Sequence, residues 1–178
     1  MAITKARYPS GTPFIQAQED RLLLAWFTGA PDTFDGVASR IETAVHEGSH
    51  VWGAKRFNGR TSTYSVRSDL SIETRLLKTF HRSEIVSHHV DPKSDSYVHV
   101  YLEGSSGAQG FDTLLDEYNA YTHTLAARYC TRDLLQPNIR MSTRDGILTM
   151  MYYVETYLAI ARQSHTTDYA AILADPQH

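Results

Sequence analysis

Thr43-Ala44-Val45-His46-Glu47-Gly48-Ser49-His50-Val51-Trp52-Gly53 is the stretch from which the rest of this chain is read. It holds His46-Glu47-x-x-His50 inside a segment whose apolar residues have helical spacing. Each helical residue advances by about 100°, so His46 and His50 lie within about 40° of each other and both imidazoles can reach one tetrahedral ion. Glu47 falls roughly a quarter-turn from His46. That is too far round for an ideal ligand, but well placed to take a proton from a water on the ion.

The flanking residues support a helix with two different faces. Val37, Ile41, Ala44, Gly48 and Val51 recur at intervals of three and four as an apolar stripe, with Val45 and Trp52 on its flank. The histidines fall nearly opposite the centre of that stripe. One face can then enter a core while the other floors a cleft, as a metal with an open coordination position requires. Asp32 reads as the N-cap, with Asp35 three residues on, and Gly53 as the C-terminal stop. With nine histidines in 178 residues, a chance His-Glu-x-x-His has odds on the order of a few in a hundred, and the amphipathic setting reduces them further.

Composition narrows the remaining classes. A chain of 178 residues is about one domain, so residues 1–178 read as a single unit that buries roughly two thirds of its unfolded surface. A net charge of -3 gives no electrostatic case for nucleic acid or an anionic membrane as partner. The single cysteine, Cys130, excludes an intrachain disulfide and a cysteine-rich zinc site, so a metal here is held by nitrogen and oxygen. Cys130 itself reads as a small buried hydrophobe. No signal-peptide core or membrane-length apolar run is present. The expectation is therefore a cytoplasmic chain, or a secreted one whose signal has been removed.

The expected fold class is α+β, mostly helical, with a small sheet beside the metal-binding helix. Residues 1–15, with Pro9, Gly11 and Pro13, read as loop or short strand, and 16–27 as helical or mixed, apolar on all sides. Asn58-Gly59 signals a turn before a strand at 61–66 that could wall the cleft. Residues 69–90 read as mostly helix from the spacing of Ile72, Leu76, Leu77 and Phe80. The alternation at 96–102 predicts a strand, with Val98, Val100 and Leu102 on one face. Residues 103–110, rich in glycine and serine, read as a loop. A strong helix follows at 111–129, with Phe111, Leu114, Leu115, Tyr118, Leu125 and Tyr129 as its buried stripe. Pro137 separates it from a core helix at 145–162, and Thr166 or Thr167 caps a last helix through Leu173.

A catalytic zinc site normally takes three protein ligands. Asp116-Glu117-Tyr118-Asn119-Ala120 offers two carboxylates about 100° apart on the 111–129 helix. Glu117 shares its direction with Leu114, Tyr121 and Leu125 at the edge of the buried stripe, whereas Asp116 points with Asn119 and His123. An inward carboxylate needs a partner, and a metal offsets its desolvation. Glu117 is the third ligand on this reading, and Asp116 has no part in metal retention. His81, His88, His89, His99 and His123 read as surface residues.

His46-Glu47-Gly48-Ser49-His50 followed by Glu117-Tyr118-Asn119-Ala120 resembles the gluzincin branch of the zincin metallopeptidases, whose third ligand is a glutamate in a Glu-x-x-Ala pattern on a later helix. The resemblance covers those two helices. It implies Zn2+ bound by His46, His50 and Glu117, with Glu47 as general base and proton shuttle, acting on a peptide or protein substrate as a metalloendopeptidase. The long gap between the motifs implies an inserted hairpin or loop, and the few candidate strands ahead of the metal helix depart from the branch's usual sheet order. His46-Glu47-x-x-His50-x-x-Gly53 also resembles the start of the metzincin motif, but Arg56 stands where that motif needs a ligand, and a guanidinium cannot coordinate. Tyr121, Tyr152 and Tyr153 are the candidates for a residue that stabilises the oxyanion. Two other classes stay open: a catalytically silent or self-inhibited zincin-like binding or regulatory domain, and a zinc amidohydrolase acting on a non-peptide amide.

Overall fold

The structure is a computed structural model and describes residues 2–19, 25–26, 33–135 and 143–177. In chain order α1 (Ala2–Arg7), a 3-10 turn (Pro9–Gly11) and α2 (Thr12–Ala17) precede the long α3 (Phe34–Ala54). The hairpin β1 (Thr61–Arg67) and β2 (Leu70–Arg75) follows, then a 3-10 segment (Arg82–His88), α4 (Ser96–Tyr101) and α5 (Gly104–Gly107). The chain ends with α6 (Phe111–Thr131), α7 (Thr143–Ser164) and α8 (Thr166–Leu173). The fold is α+β and mostly helical, with a small antiparallel sheet in which Thr61 pairs with Arg75 and Tyr64 with Ile72.

Two apolar clusters hold these elements together. The larger joins α6 and α7 through Leu114, Met150, Tyr153 and Tyr157, and takes in Phe80, Ile85, Val98 and Leu102 from the segments between the hairpin and α6. The smaller lies behind α3, where Phe14 and Ile15 of α2 meet Ile41, Val45 and Ala127. Gly48 is required at this second contact. A Cβ there would sit 2.5 Å from the Phe14 carbonyl oxygen, so α2 can lie against α3 only where the side chain is absent.

Several elements differ from the expectations, each for a local reason. Residues 2–17 are largely helical because Pro9 and Pro13 fall at the first positions of their helices, where a missing N–H costs nothing. Of the 16–27 stretch, Leu22, Leu23, Leu24 and Phe27 lie outside the described residues. Asp32 does too, and Thr33 caps α3 by accepting a hydrogen bond from the Gly36 N–H at 3.1 Å. The helix continues past Gly53 to Ala54. Gly53 is small because Thr63 of β1 passes beside it, its carbonyl oxygen 3.1 Å from where a Cβ would stand.

Residues 69–90 are not mostly helix; only Arg82–His88 is helical, as a 3-10 segment. Leu70–Arg75 completes the hairpin, and Phe80 turns inward to stack on Tyr157 at 4.0 Å. The strand expected at 96–102 is α4. Asp95 caps it by accepting the Tyr97 N–H, and Val98 and Leu102, four apart, are buried while Val100 is exposed. The alternation was compatible with either period over so short a stretch. On α6 the buried stripe rotates after its middle, leaving Leu125 and Tyr129 exposed and burying His123, Thr124, Ala127 and Thr131 against α1 and α3. Pro137 lies outside the described residues. No helix among the described residues is long and apolar enough to cross a membrane.

Candidate metal centre

The polar faces of α3 and α6 meet along one antiparallel seam. Going down α3, Glu42 pairs with Arg128, His46 with Thr124, and His50 with Asp116 and Glu117. The α6 residues Glu117, Tyr121, Thr124 and Arg128 follow the spacing i, i+4, i+7, i+11 and so occupy one face. Helical phase thereby aims His46, His50 and Glu117 at one point.

The donor atoms at that point are mutually close. His46 Nε2 and His50 Nε2 are 3.3 Å apart, and Glu117 Oε2 lies 3.6 and 3.5 Å from them. Nitrogen and oxygen ligands about 2.1 Å from a tetrahedral ion are separated by about 3.4 Å, so the three distances match three edges of such a tetrahedron. Among the described residues this is the one His/Cys/Asp/Glu group whose donor atoms all lie within 4.8 Å of one another. Glu117 Oε2 is buried and has no hydrogen-bond partner among the described residues, which would be costly for a carboxylate without a cation in front of it.

The outer nitrogens of both imidazoles are committed. His50 Nδ1 donates to Asp116 Oδ2 at 2.7 Å. His46 Nδ1 is 3.1 Å from Thr124 Oγ1, whose own proton goes to the Ala120 carbonyl at 2.8 Å. The Thr124 oxygen therefore accepts from Nδ1–H, and both Nε2 atoms face inward, the ring orientation that metal-bound histidines take. Asp116, expected to point elsewhere, thus orients His50 from outside.

The charged groups of the site favour positive charge at its centre. Burial acts to lower the His50 pKa, but Asp116 and Glu117 outweigh it and hold the imidazole at about 10. Burial acts to raise Glu117, and the two facing imidazoles outweigh it, holding the carboxyl at about 2.

A cleft of about 360 Å³ opens on one side of the seam, lined by Glu47 and His46 and, further along, by Glu42 and Arg128. Three aromatic residues, Tyr97, Tyr101 and Tyr121, also line it. The Tyr121 ring stands edge-on to His46 at 4.9 Å, and its hydroxyl is 2.9 Å from that of Tyr101. Burial pushes Tyr121 up to about 12, so the phenol keeps its proton at neutral pH. Gly146 of α7 leaves room for that ring, because any Cβ there would collide with it. Tyr153 is instead a core residue with no exposure, and the Tyr152 hydroxyl donates to the His88 carbonyl away from the cleft. Tyr97 and Tyr101 were missed, though their spacing of four would have marked them once α4 was read as a helix. The hairpin does not wall this cleft. Ser62, Thr63 and Tyr64 line a smaller cavity on the far side of His50 and Asp116.

The other histidines sit apart. His81, His88 and His99 are exposed, the last paired with Glu103, and His89 lies 3.2 Å from Asp95. His123, expected at the surface, is buried: Tyr8 O–H donates to its Nδ1 at 2.6 Å, and its Nε2–H donates to the Ser65 carbonyl at 2.6 Å. Cys130 is partly exposed. Comparison with protein-family models, with curated proteins and with solved structures finds no match to this chain.

Proposed function

We propose that this chain is a zinc-dependent hydrolase acting as a metallopeptidase of the gluzincin kind, with His46, His50 and Glu117 as ligands and Glu47 as general base. One observation carries the reading: three donor atoms, two of them imidazole nitrogens turned inward and one a buried carboxylate oxygen with no hydrogen-bond partner among the described residues, stand 3.3 to 3.6 Å apart beside a cleft. A bound zinc ion would supply a Lewis acid that brings the pKa of a water down to about 7 and polarises the scissile carbonyl.

The chain's own residues account for the other steps. Glu47 lines the cleft next to His46. It takes the proton of the attacking water and delivers it to the departing amine, so that no charged amide nitrogen has to leave. Tyr121, held protonated and fixed by Tyr101 and Gly146, is the phenol best placed to donate a hydrogen bond to the oxyanion. Thr124 and Asp116 keep the imidazoles in register through the reaction.

The test is metal content and turnover together. Purified protein should retain about one zinc per chain and cleave peptides, and Glu47→Gln should keep the zinc while losing nearly all turnover. Glu47→Gln with undiminished turnover would remove the general base from this reading. Protein that takes up no zinc would remove the reading altogether.

A further inference from the structure

The cleft continues past the candidate metal centre, and its far end is lined by Glu42 and Arg128. Glu42 lies one turn before His46 on α3, about 6 Å along the helix axis, or about two residues of an extended peptide at about 3.3 Å each. There Arg128 NH1 donates to both Glu42 oxygens at 3.1 and 3.2 Å, and Thr143 O–H donates to Glu42 Oε2 at 3.2 Å. Both carboxylate oxygens are thereby engaged and Glu42 is buried, whereas the guanidinium keeps unused donors. Its Nε and second terminal nitrogen make no hydrogen bond among the described residues, and the side chain keeps a quarter of its surface exposed. Arg128 is also the one lysine or arginine among the described residues lining the cleft.

We infer that Arg128 is a substrate-selecting residue that binds a carboxylate of the peptide within about two residues of the scissile bond, resting on the hydrolase reading above. Glu42 acts through it. By engaging only one guanidinium nitrogen, Glu42 fixes the fork and leaves the remaining N–H groups to form charge-assisted bonds with an incoming carboxylate. An ammonium group there would face the like charge of the guanidinium, and both Glu42 oxygens already accept from Arg128 or Thr143. The carboxylate is either the peptide's C-terminus or an Asp or Glu side chain, and matched substrates separate the two.

The experiment uses the zinc-loaded full chain and pairs of quenched peptides that differ in one group: C-terminal acid against amide, and Glu against Gln at each of the two positions on either side of the bond. The expected result is a preference of about tenfold or more in kcat/KM for the charged member of one pair, carried mainly by KM. An acid-over-amide preference identifies a C-terminal carboxylate; a Glu-over-Gln preference identifies a side chain. Removing Arg128 alone would strand the buried Glu42 charge, so the variant is the double Glu42→Gln/Arg128→Gln, in which the charged-to-neutral ratio should fall to about one. Equal kcat/KM across all pairs in the wild type, or a ratio that survives in the double variant, overturns the inference and leaves the hydrolase reading intact. If no peptide is cleaved, the hydrolase reading fails separately, and the same pairs are compared by binding anisotropy. Tighter binding of the charged member by about tenfold then supports the Arg128 subsite, and equal affinity overturns it.

Discussion

Replacing Asp116 by alanine should weaken zinc binding without removing a ligand. The Asp116 carboxylate accepts the His50 Nδ1 proton at 2.7 Å, and nothing else in the described structure hydrogen-bonds to that nitrogen. Loss of an outer partner of a metal-bound histidine costs about 10- to 100-fold in affinity. Asp116 is 35% exposed, so water can replace part of its hydrogen bond and the cost belongs at the lower end. We expect about tenfold, or about 1.4 kcal/mol. Thr124→Val removes a neutral acceptor 3.1 Å from His46 and should cost less, while Glu117→Ala removes a ligand and should cost most. Chelator competition against a chromophoric zinc indicator, with thermal unfolding as a check on folding, gives the three affinities on one scale. An Asp116→Ala protein that binds zinc within about twofold of wild type would refute the argument that His50 is oriented from outside. An Asp116 effect larger than that of Glu117 would reassign the third ligand.

Other consequences follow from the packing around the site. Gly48→Ala should destabilise the fold by about 1–3 kcal/mol in urea unfolding, since its Cβ would stand 2.5 Å from the Phe14 carbonyl oxygen; an unchanged midpoint would show that α2 does not rest on α3 as described. His123 is held below its usual pKa by burial, so the folded state resists protonating it while the unfolded chain does not. Its contribution is complete above about pH 6.5 and declines as pH falls below that, at no more than about 1.4 kcal/mol per pH unit. The stability difference between wild type and His123→Gln should shrink correspondingly between pH 7.5 and 5.5 in paired urea titrations, and a constant difference would contradict the assignment.

The sequence alone was enough to place His46, Glu47 and His50 on one amphipathic helix, to name Glu117 as a carboxylate grouped with the two histidines, and to find α6, α7, α8 and β1. These are long or strongly patterned segments whose periodicity is a local property of the chain. It misread residues 69–90 and 96–102, where short runs fit two periods and the deciding contacts, the pairing of β2 with β1 and the burial of Val98 and Leu102, come from elsewhere in the fold. Only the tertiary structure could bring Asp116 to His50, Thr124 to His46 and Arg128 to Glu42, over separations of 66, 78 and 86 residues. Helical phase gives the direction in which a side chain leaves its own helix, but which residue meets it depends on how two helices are docked, and that is set by packing over the whole core.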